Sequence, residues 1–327
     1  MIAPRRRTVI LLTTIALAVG VGACSPSGGL GQVPSRAPTP APSVDQGEPD
    51  LTAAPSAAAP SATAPTSASP GGSPAATPAP AATTVVRVYF YLGGELGSDG
   101  LVPLLREVSQ TRAVATAAMN ALLAGPTAGE SAQREITSAV PAGSRLLGLT
   151  VENGIATVDL SSEFESGGGS MSIFVRLGQV VYTLTQFPTV ETVLFEIEGR
   201  PVTVFSSEGI VLDGPIGRDG YADLLPVIYV DRPAFGAALG NPARITGSAN
   251  TFEATFMITL LDGSGARIVE THATATCGTG CRGTFDVTIP YSVPEAGWGT
   301  LRVWESSARD GSAQFVREYP VWLTPGP

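Results

Sequence analysis

Three carboxylates crowd one short stretch of the chain, Asp159, Glu163 and Glu165, just ahead of Gly167-Gly168-Gly169. Paired carboxylates can hydrolyse a glycosidic bond when one is held protonated and the other charged on either side of it. They can also hold Ca²⁺, but the D-x-[DN]-x-[DN]-G spacing is missing. The plainer reading is a solvated loop that helps to start a helix at Ser170, and it is favoured. The glycine run still marks a loop of the kind where binding residues often sit, so the three remain candidate binding residues.

Further along, Cys277 and Cys281 flank Gly278-Thr279-Gly280. In an exported protein this spacing reads as a disulfide closing a tight loop between two strands. The alternative is a redox or metal pair, with His272 as the nearby soft ligand. Gly278-Thr279-Gly280-Cys281-Arg282-Gly283 matches a dinucleotide fingerprint letter for letter. That fingerprint works only between a strand and a helix N-terminus, and here strand follows strand, so it is discarded. His272 alternates onto the same strand face as Glu270 and Thr274, which makes it a surface histidine rather than a catalytic base. The chain contains no G-x-S-x-G nucleophile elbow. Trp298 falls in a loop at 295–299, either as an interface residue or folded back over the end of its domain.

Composition removes much other chemistry. Of 327 residues, 19 are basic and 28 acidic, every basic residue is arginine, and there are one histidine and three cysteines. Without lysine there is no Schiff-base lysine, no P-loop lysine and no Ser-Lys dyad. One histidine and three cysteines cannot build two His/Cys-rich metal sites. A net charge of -9 makes the chain a poor partner for nucleic acid. No cofactor, metal site or catalytic set is expected.

The elements that carry these residues begin after an export signal, residues 1–23. Arg5, Arg6 and Arg7 precede an apolar run, Val9 to Val21, that is too short to span a bilayer comfortably. Val21-Gly22-Ala23-Cys24 resembles the bacterial lipoprotein signal, in which the cysteine is lipidated and becomes the new N-terminus; an ordinary secretory signal is the alternative. Removing the three arginines takes the net charge from -9 to -12, so lipid on Cys24, and not anionic headgroups, must hold the protein to the membrane.

Residues 24–84 contain that cysteine and a stretch of Ala, Pro, Ser, Thr and Gly with 13 of the 28 prolines. Such a segment cannot offset its chain entropy by burial and is expected to stay disordered. It would reach from roughly 40 Å as a coil to roughly 180 Å if extended.

Residues 85–217 read as an α+β domain with the order β-α-β-β-α-β-β. Val85 to Leu92 is a β-rich strand, and a helix over 111–124 is capped by Thr111 and stopped by Gly125-Pro126. A hairpin, 147–151 with 155–160, turns at Asn153-Gly154. A second helix starts at Ser170 and runs to about Phe187, with an apolar stripe at Ile173, Leu177, Val180, Val181 and Leu184. A last hairpin, 190–198 with 201–205, turns at Gly199-Arg200. The two helices are expected to cover one mixed sheet.

The phrases at 121–127, 140–147, 154–161 and 179–184 (ALLAGPT, VPAGSRLL, GIATVDLS and QVVYTL) resemble the GerMN domain of sporulation and germination proteins. The resemblance implies a small α/β module used in rings or docking platforms of envelope complexes, with no known catalysis and no ligand residues to transfer.

Residues 224–325 show no helical period. About seven short strands are expected, with alternation at Phe252, Ala254, Phe256, Ile258 and Leu260, at Phe285, Val287 and Ile289, and at Leu301 and Val303. Turns at Asp262-Gly263 and Asp310-Gly311 complete the pattern of a β-sandwich. The phrases at 245–249, 251–254 and 301–305 (ITGSA, TFEA and LRVWE) resemble the immunoglobulin-like domain of bacterial spore-germination proteins, which commonly follows GerMN.

The expectation is a lipid-anchored, non-catalytic envelope protein acting on another envelope protein or on the cell wall. The alternatives are a glycan-processing or glycan-binding accessory using Asp159, Glu163 and Glu165, and a solute-binding lipoprotein, which the all-β second half disfavours.

Overall fold

The computed structural model describes residues 82–94, 97–206 and 209–326; the signal segment, Cys24 and nearly all of the Ala/Pro segment lie outside them. The described residues belong to one compact unit.

The first half contains β1 (Thr83–Leu92), β2 (Gly100–Ser109), α1 (Val114–Leu123), α2 (Ala128–Arg134), β3 (Ile136–Thr137), β4 (Leu146–Glu152), β5 (Ile155–Leu160), α3 (Ser170–Leu184), β6 (Thr192–Ile197), β7 (Arg200–Pro201), β8 (Val204–Phe205) and β9 (Ile210–Val211). The strands form two principal sheets, β2-β1-β3 and β4-β5-β6-β7, and not the single mixed sheet expected. A longer connection is needed between parallel strands, and α3 supplies it between β5 and β6.

The Asn153-Gly154 hairpin stands as read, with both residues at positive φ. Three details differ. The first helix begins only at Val114, and Thr111 accepts from Ala113 N ahead of it instead of capping the helix. The last hairpin turns at Glu198-Gly199, both at positive φ, one residue earlier than expected. Strand β2 was missed altogether.

The second half contains β10 (Ile228–Arg232), β11 (Ala238–Leu239), β12 (Ala243–Ala249), β13 (Thr255–Leu261), β14 (Arg267–Thr274), β15 (Gly283–Ile289), β16 (Gly297–Ser306) and β17 (Ala313–Leu323). They form a sandwich of a three-stranded sheet, β10-β12-β15, on a five-stranded one, β11-β17-β16-β13-β14. Phe252 to Ala254 is not the start of a strand. It is a single 3-10 turn with Glu253 and Ala254 at positive φ, which leaves Phe252 exposed.

One continuous apolar cluster runs through both halves, from Phe90, Val158 and Val181 to Ile245, Phe256 and Val321. Burial on this scale is the dominant favourable term in folding, and here it is shared between the two modules. Among the described residues no helix is long and apolar enough to cross a membrane.

Candidate functional site

Two of the three carboxylates of the first module each hold a neighbouring turn, and the third faces an arginine. Asp159, on β5, accepts from Gly199 N at 2.9 Å and so closes the β6–β7 hairpin. Glu165 accepts from Ser206 N at 3.4 Å. Glu163 lies 3.9 Å from Arg145, and the Ser161 hydroxyl, with help from that charge, holds its carboxyl below the usual range. The loop that joins them is fastened from beneath. Arg176, only 2% exposed, donates from Nε to Ala139 O at 2.9 Å and from its two terminal nitrogens to Phe164 O, Ser166 O and Gly167 O. Carbonyls saturate its fork, which is a geometry arginine can fill and lysine cannot. Among the described residues no group of three His, Cys, Asp or Glu is arranged to hold a metal.

In the second module Cys277 and Cys281 are joined, with Cα atoms 5.8 Å apart. Of the glycines of the false fingerprint, Gly280 supplies a positive φ and the other two serve backbone approach. A Cβ on Gly278 would stand 2.3 Å from Ala254 N, and one on Gly283 2.1 Å from Cys277 N. Strands precede and follow the segment, and the single histidine, His272, is exposed on β14.

Trp298 is not in a loop. It is the second residue of β16, paired with Trp322 of β17, and the two indoles meet edge-on with centroids 5.4 Å apart. Short alternating segments that start on Gly-Trp-Gly carry turn chemistry and strand chemistry at once, and here register with β17 decides between them.

A cleft of about 710 Å³ lies where the modules meet, bordered by Tyr182, Arg218, Tyr229, Asp231, Ser248 and Arg282. Its floor is a polar network that sequence reading missed. Asp231 of β10 accepts from Tyr229 at 3.2 Å and, across the junction, from Tyr89 of β1 at 3.1 Å. Arg218 lies over the rings of Tyr182 and Tyr89, 4.8 and 5.6 Å from their centroids, an arrangement favoured by the ring quadrupole. It also donates to Thr185 Oγ1 at 2.8 Å.

Burial pushes the Tyr229 phenol well above its ordinary value, and burial with Asp231 raises Tyr89. Burial alone would lower Arg218, but the acidic groups around it outweigh that and leave it raised. Beside it Arg282 donates to the carbonyls of Leu225 and Pro226 in the connecting segment.

A second lock lies on the other side of the junction. Arg317 of β17, 3% exposed, donates to Ser98 O at 2.5 Å, Leu101 O at 3.2 Å and Gly100 O at 3.4 Å. Val227 N to Gly97 O and Phe235 N to Pro103 O add main-chain bonds between the modules. No sequence signal marks these contacts, because a buried arginine and a surface arginine read alike.

The fold therefore defines a protein of two modules, a small α/β domain docked on a β-sandwich. Residues 87–203 match the Germane family, described as sporulation and spore germination, and residues 227–312 match Gmad2, the immunoglobulin-like domain of bacterial spore germination. The chain carries a Germane domain followed by a Gmad2 domain, and neither family description names a catalytic activity.

Among solved structures, the first GerMN domain of the sporulation protein GerM from Bacillus subtilis is 19% identical, over 42% of this chain and 99% of that one, with a TM-score of 0.35. The tandem GerMN domains of the same protein are 14% identical, over 64% of this chain and 62% of that one, with a TM-score of 0.37. CopC from Methylosinus trichosporium OB3b is 15% identical, over 31% of this chain and 96% of that one, with a TM-score of 0.22. No curated protein matches the chain significantly.

Proposed function

We propose that the chain is a lipid-anchored, extracytoplasmic binding module of the bacterial cell envelope, related to sporulation and germination proteins through both of its domains. The observation that carries this reading is the locked junction. Tyr89, Asp231 and Tyr229 on one side and Arg317 with three carbonyls on the other join the two modules into one body. Such a body offers a partner a fixed surface spanning both domains, so little ordering entropy is lost on binding. The carboxylates best suited to catalysis support this reading rather than a hydrolytic one, since Asp159 and Glu165 are spent on the backbone of neighbouring turns.

Lipid on Cys24 supplies the membrane hold and the Ala/Pro segment the reach, and the partner is another envelope protein or the cell wall. The test is fractionation and in-cell crosslinking of the full-length protein beside Cys24→Ser. Wild-type protein is expected in the membrane fraction, crosslinked to a defined envelope component, with Cys24→Ser released from the membrane. Membrane retention of Cys24→Ser, or a crosslinking pattern with no reproducible component, would contradict the reading.

A further inference from the structure

All three tryptophans of the chain stand on one open sheet face. Burial along β16 alternates, with Gly299, Leu301, Val303 and Glu305 turned into the module and Trp298, Thr300, Arg302 and Trp304 turned out. Trp322 on β17 stands directly across from Trp298. These two indoles are 55% and 38% exposed, and their planes meet at 86°. Together they make a corner, one ring as floor and the other as wall.

Past Trp298 the corner opens into a hollow of about 530 Å³ between the turn at Gly263-Ser264 and the loop at Val293 to Glu295. In the other direction along the strands lie Thr300, the Arg302–Glu318 ion pair at 2.6 Å, and Trp304, whose indole donates to Thr259 Oγ1.

Large aromatic rings left in water are the informative exception on a soluble surface, and this face answers the question of what covers them by its chemistry. Between the indoles the Thr300 hydroxyl, the Arg302 guanidinium and the Glu318 carboxylate stand beside the Pro320 ring, which lies across from Thr300, so polar and apolar groups are interleaved along the face. Tryptophan and arginine also anchor protein interfaces, but such anchors cluster in well-packed pockets, whereas here the two indoles stand on an open strand face beside an exposed ion pair. A pyranose matches the observed mixture. Its ring carries an apolar face of axial C–H groups that stacks on an indole, and a rim of hydroxyls that both donate to carboxylates and accept from arginine. The face is also a run of extended strand, from Trp298 to Trp304, about 20 Å long at the strand rise per residue, which suits a chain of sugars better than a single one.

We infer that this face binds a pyranose chain, stacked on the Trp298–Trp322 corner, with hydroxyls directed to Glu295, Thr300 and the Arg302–Glu318 pair. The inference goes beyond the adaptor reading and is independent of lipid on Cys24.

Because every tryptophan of the protein stands on this face, intrinsic fluorescence of the full-length protein reports on the site directly. The experiment is a titration with a β-1,4-linked N-acetylglucosamine oligomer and, separately, a β-1,4-linked glucose oligomer. A saturable change in emission is expected with one or both. Trp298→Ala and Trp322→Ala should each weaken it by roughly tenfold, while Trp298→Phe keeps most of the affinity. Both positions are exposed, so circular dichroism of the alanine variants should match wild type and remove misfolding as a cause of lost binding.

Response to the amino-sugar oligomer alone would show that the acetamido group is read, and response to both that ring stacking dominates. No emission change with either, or undiminished affinity in both alanine variants, would overturn the inference.

Discussion

Arg317 shows how much a single buried cation can decide. Its guanidinium gives the carbonyls of Ser98, Gly100 and Leu101 their donors across the module boundary. Removing it leaves buried acceptors unsatisfied, which costs more than the bonds themselves contribute. Arg317→Met should therefore lower the unfolding free energy by about 3 kcal/mol, read as a lower urea midpoint. Arg317→Lys should recover little, since an ammonium cannot reproduce the planar fork.

Glu130 carries a pH dependence at the same scale. It closes a capping box with Thr127 and receives both terminal nitrogens of Arg106, at 2.9 and 2.6 Å. Burial pushes its carboxyl up, but these bonds outweigh burial and hold it below its ordinary value. A depressed folded value stabilises the protein above the unfolded value of about 4.3 and loses that contribution as pH falls through the folded one. Stability should thus fall below about pH 4, and Glu130→Gln should flatten that slope in urea titrations at stepped pH.

Neither residue announced its role in sequence. Thr127 and Glu130 do have capping-box spacing, but only a seven-residue polar helix follows, without an apolar stripe to draw the eye.

At the scale of elements, α3 organises the first module. Its apolar stripe was legible, as were its start at Ser170 and the Asn153-Gly154 hairpin before it, because both depend on local periodicity and turn chemistry. Its polar stripe was not, because those side chains answer a strand some ninety residues away. Gln179 donates to Tyr89 O and accepts from Ala139 N, Thr183 accepts from Tyr89 N, and Gln186 both donates to Arg87 O and accepts from Arg87 N. Gln179 and Thr183, one helical turn apart on α3, and Gln186 just past its end close the edge of β1 that β2 leaves open, so the helix and its end do the work of a missing strand.

Gln179→Leu should cost about 2 kcal/mol by orphaning one buried donor and one buried acceptor. Amide exchange at Ala139 should accelerate by much more than exchange along β5. Strand β2 escaped notice because Pro103 interrupts its apolar run. Proline is tolerated there because β2 is an edge strand, and the Pro103 carbonyl is used to receive Phe235 N of the second module. Phe252 to Ala254 misled in the opposite direction, since alternation continued through a segment whose backbone turns at Glu253 and Ala254.

At the scale of the molecule, the order of modules was legible from local phrases and strand period, and their fusion was not. The junction uses tyrosines and arginines that would look ordinary on any surface. Burial raises Tyr182 to about 12 and lifts Tyr89 and Tyr229 as well. For a phenol, a raised folded value means that its stabilisation is complete below the unfolded value of about 10 and is lost as pH rises through the folded one. Alkaline titration followed by tyrosinate absorbance should show these three ionising late, together with loss of the near-ultraviolet dichroism of the folded state. Early, independent ionisation would mean an open junction.

The central claim is that Germane and Gmad2 domains here work as one body, and calorimetric unfolding of the full-length protein tests it most directly. A single transition, with calorimetric and van't Hoff enthalpies in agreement, is predicted, and Arg317→Met should shift or split it. Two separate transitions in the wild-type protein, one for each module, would contradict the account.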